Sequence, residues 1–315
     1  MSSGGARELV VLGTSAQVPT RRRNQVGNLL LWDDDAILFD PGEGTQRQLL
    51  LAGASTGHLS AICLTHLHGD HCLGLPGVLA RFVLDHRETP VDLYFPASGL
   101  EHVRRLCRAA VLDEFPGLRL VPVPPTGAVY EHRGLRLEAV PLHHAIDTVG
   151  WRLEEPARRH LRVDDLTALG VRGHDVSRLV DEGRLETATG TVAYEDVSDL
   201  RRGDRFALVM DTAPCEGAER LADGVDLLVA ESTFLDVEAE LAAVSRHLTA
   251  RQAGRLAAAA GARRLVLTHF SARHPDEGDF AREAASHHDD VVAARDLERV
   301  RLPGPGISRG AGSWG

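Results

Sequence analysis

Short apolar runs rich in β-branched residues recur along the chain: ELVVLGTS, NLLLW, AILFD, AICLT, VDLYF, LRLEAVPL, RFALVMD, VDLLVAES and RRLVLTHF. Runs of this length, bounded by turn-forming residues, predict strands. Between several of them the patterning becomes helical, in TQRQLLLAG (45–53), LPGVLARFVLDH (75–86), LEHVRRLCRAAVL (100–112) and TARQAGRLAAAAGA (249–262). In the last, Thr249 is placed to cap the first turn and Gly261 to end the helix. Strands alternating with helices predict an α/β protein. The stretch 155–203 breaks the pattern, being polar, strongly charged and poor in sheet-like runs, and reads as an inserted arm. The Gly- and Pro-rich end, LPGPGISRGAGSWG, reads as a disordered tail.

Composition narrows the class. With 315 residues, 43% of them hydrophobic, the chain can bury one large core or two smaller ones. No apolar run approaches the roughly 20 residues of a membrane span, and MSSGGARELV lacks the apolar segment of a signal peptide, so the cytoplasm is expected. Cys63, Cys72, Cys107 and Cys215 form no CxxC pair, which argues against a disulfide framework or a thiolate zinc site. A net charge of -10 argues against a general polyanion binder but leaves room for a local basic patch. All 35 basic residues are arginine, whose rigid fork suits phosphate.

The candidate chemistry begins at HLHGDH. His66 and His68 lie two apart after the strand AICLT, so in an extended segment they point the same way, and Gly69 lets the chain turn to bring in Asp70 and His71. His143 and His144 follow LRLEAVPL, Asp211 follows RFALVM, and His269 follows RRLVLT. Sites in α/β sheets form beyond the carboxyl ends of strands, so four strands deliver His or Asp to one edge. Such nitrogen and oxygen donors, without thiolate, suit zinc first and are compatible with manganese or iron. The set is large enough for two ions, with a carboxylate such as Asp211 between them. A single His at a strand end is usually a hydrogen-bonded structural residue, and the remaining histidines are read that way.

These motifs resemble the metallo-β-lactamase superfamily, whose HxHxDH signature binds two zinc ions in an αββα four-layer sandwich. Within it, LGTSAQVPTRRRN, FDPGEGTQRQLL, LTHLHGDHCLGLPG, MDTAPC, AESTF and LTHFSAR are similar, in order, to the ribonuclease Z family, endonucleases that remove 3′ trailers from tRNA precursors. The resemblance runs from about residue 8 to 273. It implies one such domain over 1–300 with 155–203 as an exosite-like arm, 301–315 remaining a tail. It also implies two Zn2+ per subunit, one at His66, His68 and His144, the other at Asp70, His71 and His269, with Asp211 bridging. His144 is chosen over His143 by its distance to Gly150 and Trp151. Asp70 would orient the attacking water, and His247 supported by Glu231 would protonate the leaving oxygen. Around that pair the family's His-Ser-Thr reads His247-Leu248-Thr249 here, and its His-Glu-Ala-Thr reads Ala230-Glu231-Ser232-Thr233.

Arg21, Arg22 and Arg23 in PTRRRN, together with Arg273, are expected to contact substrate phosphates. A homodimer acting on a tRNA precursor is implied, with one subunit's arm serving the other's site. The arm departs from the family's basic Gly-Pro stretch, because Gly173 is followed by His174, and Asp175, Asp181 and Glu182 dilute its arginines. That favours weaker, more salt-sensitive tRNA binding. The main rival keeps the fold and metals but hydrolyses small phosphodiesters or esters. A di-iron redox protein would carry a carboxylate in place of His68, and a non-catalytic RNA-binding subunit would be expected to lose ligands.

Overall fold

The computed structural model describes residues 7–111, 115–187 and 190–304. The chain first lays down β1 (Glu8–Gly13), β2 (Gly27–Trp32), β3 (Asp35–Phe39), β4 (Leu59–Cys63), β5 (Val91–Pro96) and β6 (Leu118–Val123). It then starts a second sheet with β7 (Ala128–His132), β8 (Leu135–Pro141) and β9 (Val149–Glu154). The arm contributes β10 (Arg158–Leu161), β11 (Arg184–Thr187), β12 (Gly190–Ala193) and β13 (Ser198–Arg201). The second sheet is completed by β14 (Arg205–Val209), β15 (Leu227–Glu231), β16 (Arg264–Thr268) and β17 (Val291–Ala293), and β18 (Arg299–Arg301) returns to the first. The two seven-stranded sheets run β18-β1-β2-β3-β4-β5-β6 and β17-β16-β15-β14-β9-β8-β7.

Both faces of each sheet are buried, which is why the strands read as continuous apolar runs and not as alternating ones. Leu9, Val11, Phe39 and Cys63 of the first sheet meet Leu137, Trp151, Phe206 and Val229 of the second, with the Phe39 and Phe206 rings 5.5 Å apart. Val10, Leu12, Leu38 and Ile62 point outward beneath the helices Thr45–Leu51, Leu75–Leu84 and Leu100–Cys107. On the other side Ala207, Val209, Leu228 and Leu265 are covered by Glu216–Ala222, Ala250–Ala259 and Glu277–Ala285. The result is the four-layer αββα sandwich. Each buried Val, Leu, Ile or Phe contributes about 1.5–3 kcal/mol. Trp151 is fully buried and its indole N–H donates to Leu64 O at 3.3 Å, tying the sheets together; truncation of such a residue costs about 3–5 kcal/mol.

All nine expected strands form, as do the four helices, one of them shorter than its pattern. Thr249 makes a full capping box with Gln252, and Gly261 takes the left-handed conformation just past the end. The helix expected over 100–112 stops at Cys107, where the chain turns before β6, and residue 112 lies outside the described residues. The arm leaves between β9 and β14, which pair directly, and it has more structure than its polarity suggests. Leu166, Val171, Leu179, Leu185, Val192 and Val197 form a small core of its own between two helices and two hairpin-like sheets. Arg7 fastens its root by ion pairs to Glu155 at 2.7 Å and Asp204 at 2.9 Å. The expected tail begins too early, because Arg301 pairs with Glu8 in the first sheet and Leu302 is buried; 305–315 lie outside the described residues. Among the described residues no helix is long and apolar enough to cross a membrane.

Candidate active site

Strands β14, β15 and β16 are parallel, and β8 runs the same way because it is antiparallel to β9, itself antiparallel to β14. Their carboxyl ends share one edge. β3, β4 and β5 are parallel in the other sheet, and the Val149 N–H donates to Thr65 O at 2.9 Å to join the two edges. His66, His68, Asp70 and His71 therefore meet His144, Asp211 and His269 across the seam. His68 begins the helical turn Gly69–Cys72, which swings Asp70 and His71 back toward the cluster.

Besides a group that joins His247 to Asp211 and His269, the donor atoms form two groups with no residue in common: His66, His68, His144 and Asp211, and Asp70, His71 and His269. Asp211 stands between them. Its Oδ2 is 3.6 Å from His66 Nε2 and 3.7 Å from His144 Nε2, while its Oδ1 is 3.4 Å from His71 Nε2 and 3.3 Å from His269 Nε2. His143 is exposed and His144 buried, so the second of the adjacent pair is the one that enters the site.

Hydrogen bonds behind the cluster decide which nitrogen each ring presents. His71 Nδ1–H donates to Asp40 at 2.9 Å, His269 Nδ1–H to Thr233 Oγ1 at 2.9 Å, His66 Nδ1–H to Thr65 Oγ1 at 3.0 Å, and His144 Nδ1–H to Arg246 O at 3.2 Å. With the proton on Nδ1 each ring turns Nε2 toward the others, although for His71 the lowering effect of burial is outweighed by the charges of Asp211 and Asp40, which raise its proton affinity. His68 presents Nδ1, 3.0 Å from His66 Nε2. Ring nitrogens facing one another, beside a buried Asp211 Oδ1 with no hydrogen-bond partner, are an arrangement that metal ions satisfy and hydrogen bonds do not. Burial and the neighbouring His71 hold His66 well below its usual range, in the neutral form a ligand needs. Burial opposes ionisation of Asp211, yet the adjacent His269, His71 and His66 keep its carboxyl well below the usual range.

A second buried pair adjoins the cluster. His247 Nδ1–H donates to Glu231 Oε1 at 2.9 Å, and Nδ1 lies 4.0 Å from Asp211 Oδ2. Glu231, at the end of β15, also accepts from Thr212 N–H at 2.8 Å and Thr233 Oγ1–H at 2.6 Å. Burial lowers the affinity of His247 for its proton, but the Glu231 charge and hydrogen bond outweigh that and push its pKa up to about 9. Leu248 points into the core and Thr249 caps a helix, so the changed neighbours of His247 face away from the chemistry. Backbone strain gathers here: Asp40, Asp211 and His269 have φ of 45°, 38° and 62°, and Gln17 and Arg246 both have 58°.

The cleft above the cluster, about 490 Å³, is lined by Gln17, His68, Asp70, His144, Asp211 and His247 among others. Arg21 and Arg22 are exposed on the loop beside it. Arg23 differs from expectation. It is buried, its Nε–H donates to Glu277 at 2.7 Å and its NH2 group to His274 O at 2.7 Å, and it lies over Phe270, so its guanidinium is spent inside the protein. Arg273 remains exposed beside Glu238 at 3.4 Å. Sequence reasoning missed Asp40, which accepts from both the N–H and the hydroxyl of Thr65 at 2.7 Å, though its position at a strand end matches that of Asp211. Thr233, relaying His269 to Glu231, carried no such signal.

Fold and donor set together are those of a hydrolase of the β-lactamase superfamily with side chains able to hold metal ions, and a beta-lactamase superfamily domain matches residues 35–163. Ribonuclease Z of Nocardia farcinica is 49% identical over 299 residues, covering 94% of this chain and 98% of the relative. Ribonuclease Z of Streptomyces avermitilis is 49% identical with the same coverage. The short form of human tRNase Z superposes with a TM-score of 0.68 at 22% identity, covering 94% of this chain and 99% of that one, and speaks for the fold. The chain belongs to the ribonuclease Z family, endoribonucleases of this superfamily.

Proposed function

We propose that the protein is a zinc-dependent endoribonuclease that removes 3′ trailers from tRNA precursors, working in the cytoplasm as a homodimer. The observation that carries the reading is Asp211 presenting one carboxylate oxygen to each of two donor groups. His66, His68 and His144 would hold one ion and Asp70, His71 and His269 the other, and the thiolate-free donor set favours zinc. Bound metal supplies Lewis acidity and lowers the pKa of water in such sites. Asp70 orients the attacking water at the floor of the cleft. His247 keeps a proton in place through Glu231 and delivers it to the departing ribose 3′ oxygen. Arg21 and Arg22 position phosphates without reading sequence, and Arg273 can join them when it leaves Glu238.

The arm supports the dimer reading least. Arg178 is held by Glu182 at 3.1 Å within its own helix, and Arg162 by Asp165 and Asp199. Acids beside these surface arginines dilute the arm's positive charge, and that favours the second reading, hydrolysis of small phosphodiesters or esters. The test is cleavage of an end-labelled tRNA precursor by zinc-loaded protein at low salt, with a chelator control and the cut mapped. A chelator-sensitive cut after the discriminator nucleotide is expected; turnover of a small phosphodiester with no cut in the RNA would select the second reading.

Glu231→Gln tests the proton donor. The amide keeps the shape but loses the charge that holds the His247 proton, and turnover should fall about a hundredfold with zinc content unchanged. Turnover within twofold of wild type would remove His247 and Glu231 from the mechanism. An amide NH2 beside the Thr212 N–H costs about 1–3 kcal/mol, so thermal unfolding is followed in parallel.

A further inference from the structure

Besides the His71 and His269 imidazoles at 3.5 Å, Asp70 is met by the backbone of the loop that crosses the cleft mouth. The Gln17 N–H donates to Asp70 Oδ2 at 2.7 Å. Gln17 does so at φ 58°, a left-handed conformation that costs any residue but Gly on the order of 1 kcal/mol and persists only where the surroundings enforce it. The enforcing group is Gln25, a mostly buried side chain that lies at the other end of the same loop. Its Nε2–H donates to Gln17 O at 2.7 Å, and its Oε1 accepts the Glu43 N–H at 2.8 Å in the turn after Asp40. Both ends of the amide are thus spent on backbone, one on each side of the cleft wall.

We infer that Gln25, acting through Gln17, is a positioning residue for Asp70. With Oδ2 held by the Gln17 N–H, the carboxylate cannot rotate freely, and its other oxygen is left to the cleft that Asp70 lines. The same loop carries Arg21 and Arg22, so one piece of backbone sets both the place of the phosphates and the aim of Asp70. The inference rests on Asp70 orienting the attacking water, as proposed above.

Gln25→Met keeps the length and removes both hydrogen bonds, and Gln25→Glu keeps the one to Glu43 and removes the one to Gln17. Each variant is loaded with zinc and assayed on a tRNA precursor and on bis(p-nitrophenyl) phosphate, and the metal-free proteins are compared by amide hydrogen exchange. Both variants should lose on the order of tenfold in kcat on whichever substrate the wild type turns over, with KM within twofold and zinc content unchanged. The Gln17 amide proton should exchange at least about tenfold faster in both. Unchanged kcat, a rise in KM alone, or loss of zinc would overturn the positioning role. If wild type fails to cut RNA yet the variants still lose kcat on the small ester, the brace stands and the endonuclease reading falls.

Discussion

Asp211→Ala should lose zinc and RNA cleavage together. The carboxylate is buried and divided between the donor groups, with Oδ1 lacking any hydrogen bond and 3.3 Å from His269 Nε2. Two dications held by these two groups would repel each other strongly, and a carboxylate shared between the groups would offset part of that repulsion. Alanine leaves five imidazoles and one terminal carboxylate to hold both ions, so metal content should drop from two toward one per chain. Turnover should fall at least about a thousandfold, since a metal pair held here would supply the Lewis acidity for the attacking and leaving oxygens. Elemental analysis of the purified variant beside the cleavage assay decides the matter. Wild-type metal content would remove Asp211 from the bridging position.

Asp70→Ala should separate chemistry from binding. Asp70 lies at the cleft floor, 3.5 Å from both His71 Nε2 and His269 Nε2. Burial disfavours its ionised form, but the neighbouring His269 and His71 imidazoles hold its carboxyl well below the usual range. A group so placed remains an acceptor throughout the working pH range. Removing a positioned general base costs about a hundredfold to ten-thousandfold in turnover, whereas the exposed Arg21 and Arg22 are untouched, so RNA affinity should stay within about threefold. Kd by filter binding and kcat by single turnover provide the comparison. Unchanged turnover would leave Asp70 as a ligand alone.

Arg23 shows why the phosphate contacts were the least legible part. In PTRRRN the three arginines are equivalent as sequence, and only packing reveals that one of them pairs with Glu277, more than two hundred residues away. The same holds for the arm, whose six core residues are spaced too widely to register as a pattern. β6, β7, β9, β17 and β18 escaped notice for related reasons. β6 and β7 are edge strands with exposed positions, β9 is interrupted by charge, and β17 and β18 are three residues each.

What the sequence determined by itself is what short-range chemistry determines. The buried strands are long apolar runs, Thr249 and Gly261 bound a helix, and HLHGDH with three later strand-end residues already names the donor set. The tertiary structure decided the rest, because it depends on groups far apart in the chain. It gave one Asp211 oxygen to each donor group, turned the rings of His66, His71, His144 and His269 through Thr65, Asp40, Arg246 and Thr233, and bound Asp70 to the backbone of Gln17. Spacing along a chain encodes which face of a strand a residue occupies. It does not encode which hydrogen bond, across two sheets, fixes the atom that the residue presents.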